Sequence, residues 1–211
     1  MGNPNRRVRV VGGGSSEFGS RRRVLKESKG EAEVAAFCSA HDWPRAREGW
    51  LDPDTKWEYK ITWSCGPAVQ LHYVEDGLAG CRYVQTSSTN SALLATYVEM
   101  ADEELSFWSR GELLRDVDDS ADPLSKGRGL IRMGVGAPIG EDPEVITRIQ
   151  CGLRNSAREV RDMSILAAFY AKYPQLRTTL REVAEEDQDG ELRLRARAIL
   201  EAYDTLGVRQ P

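Results

Sequence analysis

The sequence predicts an α+β protein: a small antiparallel sheet with a helix, followed by an all-α segment of paired helices. Three observations carry this. From Trp57 to Tyr83, apolar residues alternate with polar ones, as on half-buried strands. From Val160, small and apolar residues fall at Ser164, Ala167, Ala168 and Ala171, the i, i+4, i+7, i+8, i+11 spacing of one helix face. The same spacing recurs from Leu192 through Ala196, Ile199, Leu200 and Tyr203, about 32 residues further on, within the range of stacked helical repeats.

With 211 residues and a net charge of −4, the chain is long enough for one large domain or two small ones. No run approaches the roughly 20 apolar residues that span a membrane. The twin arginine Arg6-Arg7 is followed by Val8-Arg9-Val10-Val11 and then Gly12-Gly13-Gly14, which is no apolar signal core. A cytoplasmic location is therefore expected. Charge is uneven. Residues 1–40 carry 8 basic and 4 acidic side chains, residues 41–140 carry 10 and 16, and the remainder 11 and 13. An acidic body argues against broad nucleic-acid binding, because a phosphate backbone needs a basic footprint.

Residues 1–30 read as a flexible basic tail, poor in apolar residues and rich in Gly, Ser, Asn and Arg. Val10-Val11-Gly12-Gly13-Gly14 lacks the third glycine of a dinucleotide fingerprint, and Arg21-Arg22-Arg23 reads as a solvated run, with contact to an anionic surface as the alternative. Residues 31–122 read as a small α+β module. Glu31 to His41 is a short helix with Val34, Phe37 and Cys38 on one face, ended by Trp43-Pro44. Trp50 and Pro53 fall in a connecting loop. Trp57, Tyr59, Ile61 and Trp63 mark one strand, Val69, Leu71 and Tyr73 a second, and Cys81 to Thr86 a third. Gly66-Pro67 and Glu75 to Gly80 supply the reversals. His72 falls on the polar side of its strand and is expected to face solvent. Thr89-Asn90-Ser91 caps a helix with apolar positions Leu93, Leu94, Tyr97, Val98 and Ala101. Phe107, Trp108, Leu113, Leu114 and Val117 pack a further helical turn. Residues 123–140, with five glycines, read as a Gly-rich connector.

From Asp142-Pro143 the chain reads as helical to its end, with Asp142 as cap and Pro143 in the first turn. Val145, Ile149, Gly152 and Leu153 form one buried face, and Leu176, Leu180, Val183 and Ala184 form the next after Pro174. Val145 and Leu176 are about 31 residues apart, so the period holds for helix pairs.

These residues resemble a known family. Val160-Arg161 with Ala167-Ala168, and Leu192-Arg193 with Ala196 and Ile199-Leu200, are similar to the second helix of HEAT-type repeats in bacterial proteins. Val69–Glu75 with Cys81–Ser87 is similar to a small α+β module that precedes such repeats. The resemblance covers roughly residues 57–206 and implies HEAT-like helix pairs over residues 141–206. Two pairs are fewer than an independent solenoid usually needs, so the module before them is expected to cap the stack. Ser164 departs from the pattern, standing where the second copy has Ala196.

The implied function is a non-enzymatic protein-interaction module or scaffold binding through its repeats, of the antitoxin-like or immunity kind. An acidic body favours a basic partner. Candidate partner-binding residues are Arg161, Arg193, Arg197, Tyr170 and Tyr203. Arg161 and Arg193 are also expected to pair with acidic groups of the neighbouring repeat. The alternatives are nucleic-acid binding, through the Arg193, Arg195 and Arg197 stripe, and an enzyme. No catalytic residue, cofactor or metal is expected. Cys38, Cys65, Cys81 and Cys151 read as buried small residues. Cys38, His41, Cys65, His72 and Cys81 lack the paired spacing of a zinc site, and Asp116, Asp118, Asp119 and Asp122 lack the glycine of an EF-hand loop.

Overall fold

Alternation builds the sheet. The computed structural model describes residues 18–26 and 29–208. Strands β3 (Arg45–Trp50), β4 (Glu58–Ser64), β5 (Val69–Asp76) and β6 (Cys81–Ser88) follow one another as antiparallel neighbours. Two short strands, β1 (Phe18–Gly19) and β2 (Arg23–Val24), both pair with β6 along its other edge. With α1 (Glu31–Ala40), α2 (Ser91–Glu104) and the helices that follow, the fold is mixed α/β. Trp50, expected in a loop, ends β3 opposite Tyr59.

Both faces of the sheet are covered. Ile61, Trp63, Leu71, Tyr73 and Val84 pack on Val34, Phe37 and Cys38 of α1 and on Ala101 and Leu105 at the end of α2. Asn90 caps α2 through the backbone N–H groups of Ala92 and Leu93, as expected. Of the apolar positions read for that helix, only Ala101 is buried. The opposite sheet face buries Val74 and Tyr83 against Ile131, Val135 and Tyr170 from the helical part. A one-sided sheet would have left that face wet, which is why alternation alone misplaced His72.

Residues 22–26 are not a tail. Lys26 N–H donates to the Ser106 carbonyl, and Trp108 N–H donates to the Val24 carbonyl. The segment thus lies between β6 on one side and residues 106–108 on the other. Val24 enters the core between sheet and helices, while Leu25 enters the core under α1. The cations around them lie on aromatic rings, which is how a basic run can be held in place. Arg23 sits over Phe107 at 5.0 Å and Lys26 over Trp108 at 4.9 Å. Arg23 also pairs with Asp102 and Lys26 with Glu112. Residues 1–17, with Arg6-Arg7 and the Val10–Gly14 stretch, lie outside the described residues, as do residues 27–28.

The stretch expected as a connector is mostly helix. α3 (Arg110–Asp118) opens with a Ser109–Glu112 capping box. α4 (Pro123–Val135) is capped by Asp122, with Pro123 in its first turn. The glycines of α4 sit on a helix contact. A Cβ on Gly134 would lie 2.5 Å from the Ala167 carbonyl oxygen and 2.9 Å from its Cα. α5 (Pro143–Leu153) is capped by Asp142 as expected. α6 (Arg158–Ala171), α7 (Leu176–Glu186) and α8 (Gly190–Thr205) complete the chain. Each helix of the pairs α3–α4, α5–α6 and α7–α8 packs on its partner; α4, α6 and α8 touch in sequence, as do α3, α5 and α7. Ser164 is buried against Gly152 and satisfies its hydroxyl by donating to the Val160 carbonyl at 2.6 Å.

Arginines at helix starts reach acidic caps two helices on. Arg110, first in α3, donates to both oxygens of Asp142 at 2.6 and 2.8 Å and to Glu144 at 2.5 Å. Arg158, first in α6, pairs with Asp189, the cap of α8, and with Glu191 at 2.9 Å. Each cap carboxylate therefore serves backbone N–H groups and a guanidinium together, a charge-assisted arrangement.

Gly134→Ala tests the close approach. Alanine normally stabilises an exposed helix interior by about 1 kcal/mol over glycine. Here the new Cβ strikes backbone, and we expect a net loss of about 1–3 kcal/mol in urea unfolding. Gly111→Ala, whose Cβ meets only the tip of Arg115, should be neutral or mildly stabilising.

Candidate functional site

The register of β4 and β5 sets Glu58 opposite Asp76 at the end of the sheet nearest the helices. Asp76 is 2 % exposed. Its Oδ1 accepts the backbone N–H groups of Leu78 and Ala79, and its Oδ2 accepts the Tyr170 hydroxyl at 2.6 Å. Glu58 accepts the Tyr83 hydroxyl at 3.3 Å. Burial first, and then the Asp76 charge, push the Glu58 carboxyl above its usual range. Burial also holds the Tyr83 and Tyr170 phenols well above theirs, and it pushes the Cys81 thiol up to about 12. Arg22 lies across the Tyr83 and Tyr170 rings, at 5.4 and 5.5 Å. Two acids, two phenols and one guanidinium thus tie β4, β5, β6 and α6 to the residue just before β2.

Next to this cluster, α6 ends at Lys172 in the left-handed conformation, φ 56° and ψ 31°. Glycine is the usual residue there, and a side chain costs about 1–2 kcal/mol. Burial, and then the charge of Arg22, lower the Lys172 ammonium from its ordinary value. Lys172 and Arg22 line a cleft of about 530 Å³ between the β1–β2 segment, the loop after α4 and the loop after α6. Val135, Ala137, Pro138, Ala171 and Pro174 give it an apolar floor.

Across the sheet, Thr62 on β4 stands opposite His72 on β5, and Ser87 of β6, opposite Gln70, lies diagonally beside it. His72 Nδ1 meets Thr62 Oγ1 at 3.0 Å and Nε2 meets Ser87 Oγ at 2.8 Å. All three are buried, which corrects the solvent-facing expectation for His72. A serine on an imidazole is the geometry of a nucleophile and its base. Burial, aided by Lys60, pushes His72 down to about 3, so the imidazole is a poor proton acceptor. Thr62 also stands where a triad has a carboxylate. The trio works as a neutral bridge across three strands.

The turns of the β3–β4 and β5–β6 hairpins, at the same end of the sheet as Glu58 and Asp76, carry exposed apolar side chains. Trp50 is 45 %, Leu51 55 %, Trp57 52 % and Leu78 45 % exposed. Trp50 packs edge-on against Tyr59 at 5.2 Å, and the Gly77 N–H donates to the Trp57 carbonyl, bringing the two hairpin ends together. Among the described residues β3 pairs only with β4, which leaves its outer edge open there.

The residues singled out from sequence fall in different places. Arg161 donates to both oxygens of Asp187, at 2.7 and 3.1 Å, and Arg193 donates to the Asp187 carbonyl at 2.5 Å. Both therefore clamp the end of α7. Tyr170 is buried on Asp76. Tyr203 is fully buried, its hydroxyl donating to the Ala168 carbonyl at 2.6 Å. Neither phenol offers a surface to a partner, because each fills a core and spends its hydroxyl there. Arg197 is exposed. Of the cysteines, Cys38 and Cys65 are buried, Cys81 is half-buried, and Cys151 is exposed, against expectation. His41 pairs with Glu104 and stacks on Trp43. Among the described residues no three acidic, His or Cys side chains gather as metal ligands, and no helix is long and apolar enough to cross a membrane. Sequence reasoning missed Arg22, Lys172, Glu58 and Asp76; only Pro174, which forces α6 to end nearby, could have drawn attention to Lys172. No protein family, curated protein or solved structure matches the chain.

His72 gives a test in pH. Between its ordinary value of 6.5 and about 3, the unfolded chain binds a proton that the folded chain refuses. Stability should therefore fall as pH drops through that window, by up to about 1.4 kcal/mol per pH unit. His72→Gln should flatten this part of the profile in urea unfolding measured at stepped pH.

Proposed function

We propose that this chain is a non-enzymatic protein-interaction module of the cytoplasm, in which HEAT-like helix pairs are capped at one end by the sheet. The packing of α3–α4, α5–α6 and α7–α8 in two rows supports the stack. So does the recurrence of the arginine-to-cap contact at Arg110–Asp142 and Arg158–Asp189. On this reading α3 and α4 add a pair before the two legible in sequence.

The observation that carries the binding role is the exposed group Trp50, Leu51, Trp57 and Leu78 beside the open edge of β3. Tryptophans dominate the energetics of protein interfaces, and clustered exposed apolar side chains mark docking surfaces. Asp52 and Asp54 border the group in the same loop, which suits a basic partner protein. The nucleic-acid alternative draws little from the arginines of α8: Arg195 pairs with Asp162 and Arg193 holds Asp187.

Affinity capture from host lysate tests the reading when wild type is run beside variants. We expect one basic protein near one-to-one stoichiometry, its recovery falling at least about tenfold with Trp50→Ser/Trp57→Ser, since each such anchor typically carries about 2 kcal/mol or more. Arg197→Glu should leave it unchanged. Loss with Arg197→Glu alone would move the interface to α8, and capture of nucleic acid only would refute the protein-binding role. The cap is tested separately. Residues 141–211 alone lack α4, whose Leu130 and Met133 share a core with α5 and α6, and should melt without cooperativity; a sharp transition would refute capping.

A further inference from the structure

The cleft beside Lys172 gathers positive charge that the described residues leave unanswered. Neither Arg22 nor Lys172 has a carboxylate oxygen within ion-pair distance among the described residues, although both feel the charge of Glu58. The two cations are close enough for Arg22 to disfavour the Lys172 charge. Arg22 spends its hydrogen bonds on neutral oxygens, the Tyr170 carbonyl at 3.5 Å and the Tyr83 hydroxyl. Its Nε is buried with no partner. Buried donors are ordinarily satisfied, and buried cations are ordinarily paired. Lys172 also holds its place in a backbone conformation that suits glycine. Unrelieved like charge and a left-handed non-glycine residue at the same cleft are the marks of a binding site.

We propose that this cleft binds a small organic monocarboxylate with an apolar body. The carboxylate lies between Arg22 and Lys172, which supply charge-assisted donors. The apolar body lies on Val135, Ala137, Pro138, Ala171 and Pro174. Arg21, Arg22 and Lys172 against Glu141 on the rim and Glu58 behind leave about one net positive charge, which suits a monoanion better than a dianion. Glu141, exposed on the rim, opposes a second acidic group at the mouth. This cleft is separate from the tryptophan surface, so it stands whether or not that surface binds protein.

The test is calorimetric titration of the full chain with hexanoate, hexanamide and inorganic phosphate, with amide NMR shifts to locate binding. Hexanoate should bind saturably and shift the amides of residues 170–174. Hexanamide, its neutral counterpart, should not bind, and phosphate should bind at least about tenfold more weakly, lacking the apolar body. Lys172→Gly should raise the melting temperature, because glycine relaxes the left-handed turn, and should weaken hexanoate about tenfold, the worth of one charge-assisted contact. Lys172→Arg should retain binding. The proposal is overturned by no saturable hexanoate binding, by hexanamide or phosphate binding equally well, by shifts confined to another face, or by unchanged affinity in Lys172→Gly.

Discussion

Residues 22–26 contribute to two cores that lie on opposite faces of the sheet. Val24 belongs to the core between sheet and helices, and Leu25 to the core between sheet and α1. The backbone between them bonds β6 on one side and residues 106–108 on the other. What fixes a basic run in such a place is the pairing of every long cation with a ring. Trp108 shows this best, with Lys26 at 4.9 Å and Arg132 at 4.7 Å from its centroid. The methylene stems cover apolar surface while the charged heads reach Asp102, Glu112 and Asp116. Cation–π contacts of this kind contribute about 0.5–2 kcal/mol each, and several act here on five residues.

The helical part depends on a different device. Its rows come together because glycine leaves room for a neighbouring helix, for the backbone of Ala167 at Gly134 and for the side chains of Ser164 and Leu130 at Gly152. The rows stay in register because arginines at helix starts hold the acidic caps of helices two further on. Tyr170 then anchors α6 to the sheet by donating to Asp76. Cap, clamp and anchor are all hydrogen bonds to carboxylates that also hold backbone N–H groups, so each acid is satisfied by several donors.

Much of this was legible, for definite reasons. The strands through Ile61, Leu71 and Tyr83 obeyed alternation, and the caps Asn90 and Asp142 announced their helices. The paired faces from Val160 and Leu192 are buried as their spacing requires, though Ala171, Ile199 and Leu200 only in part. Three readings failed for one shared reason: local composition was taken as environment. Arginines at 21–23 read as solvated, yet aromatic rings brought in from beyond residue 80 hold Arg22 and Arg23. Glycines between 123 and 140 read as a hinge, yet four of the five line a helix or its end, and only Gly140 adopts a positive φ. His72 read as exposed because the hydroxyls that satisfy it, Thr62 and Ser87, come from the neighbouring strands. The site residues suffered most. Arg22 and Lys172 are 150 positions apart in the chain, and no spacing rule links them.

The joining strand also sets an order of assembly. Residues 22–26 leave the ribosome before any of their partners, and those partners extend from Tyr83 in β6 to Tyr170 at the end of α6. Closing loops of that length costs entropy that only the finished core returns. A strand made before its partners is thus among the last to be seated. Until then that edge of β6 stays unpaired, and Val24 and Leu25 stay outside the cores they complete, which leaves a sheet edge and two apolar side chains open to self-association.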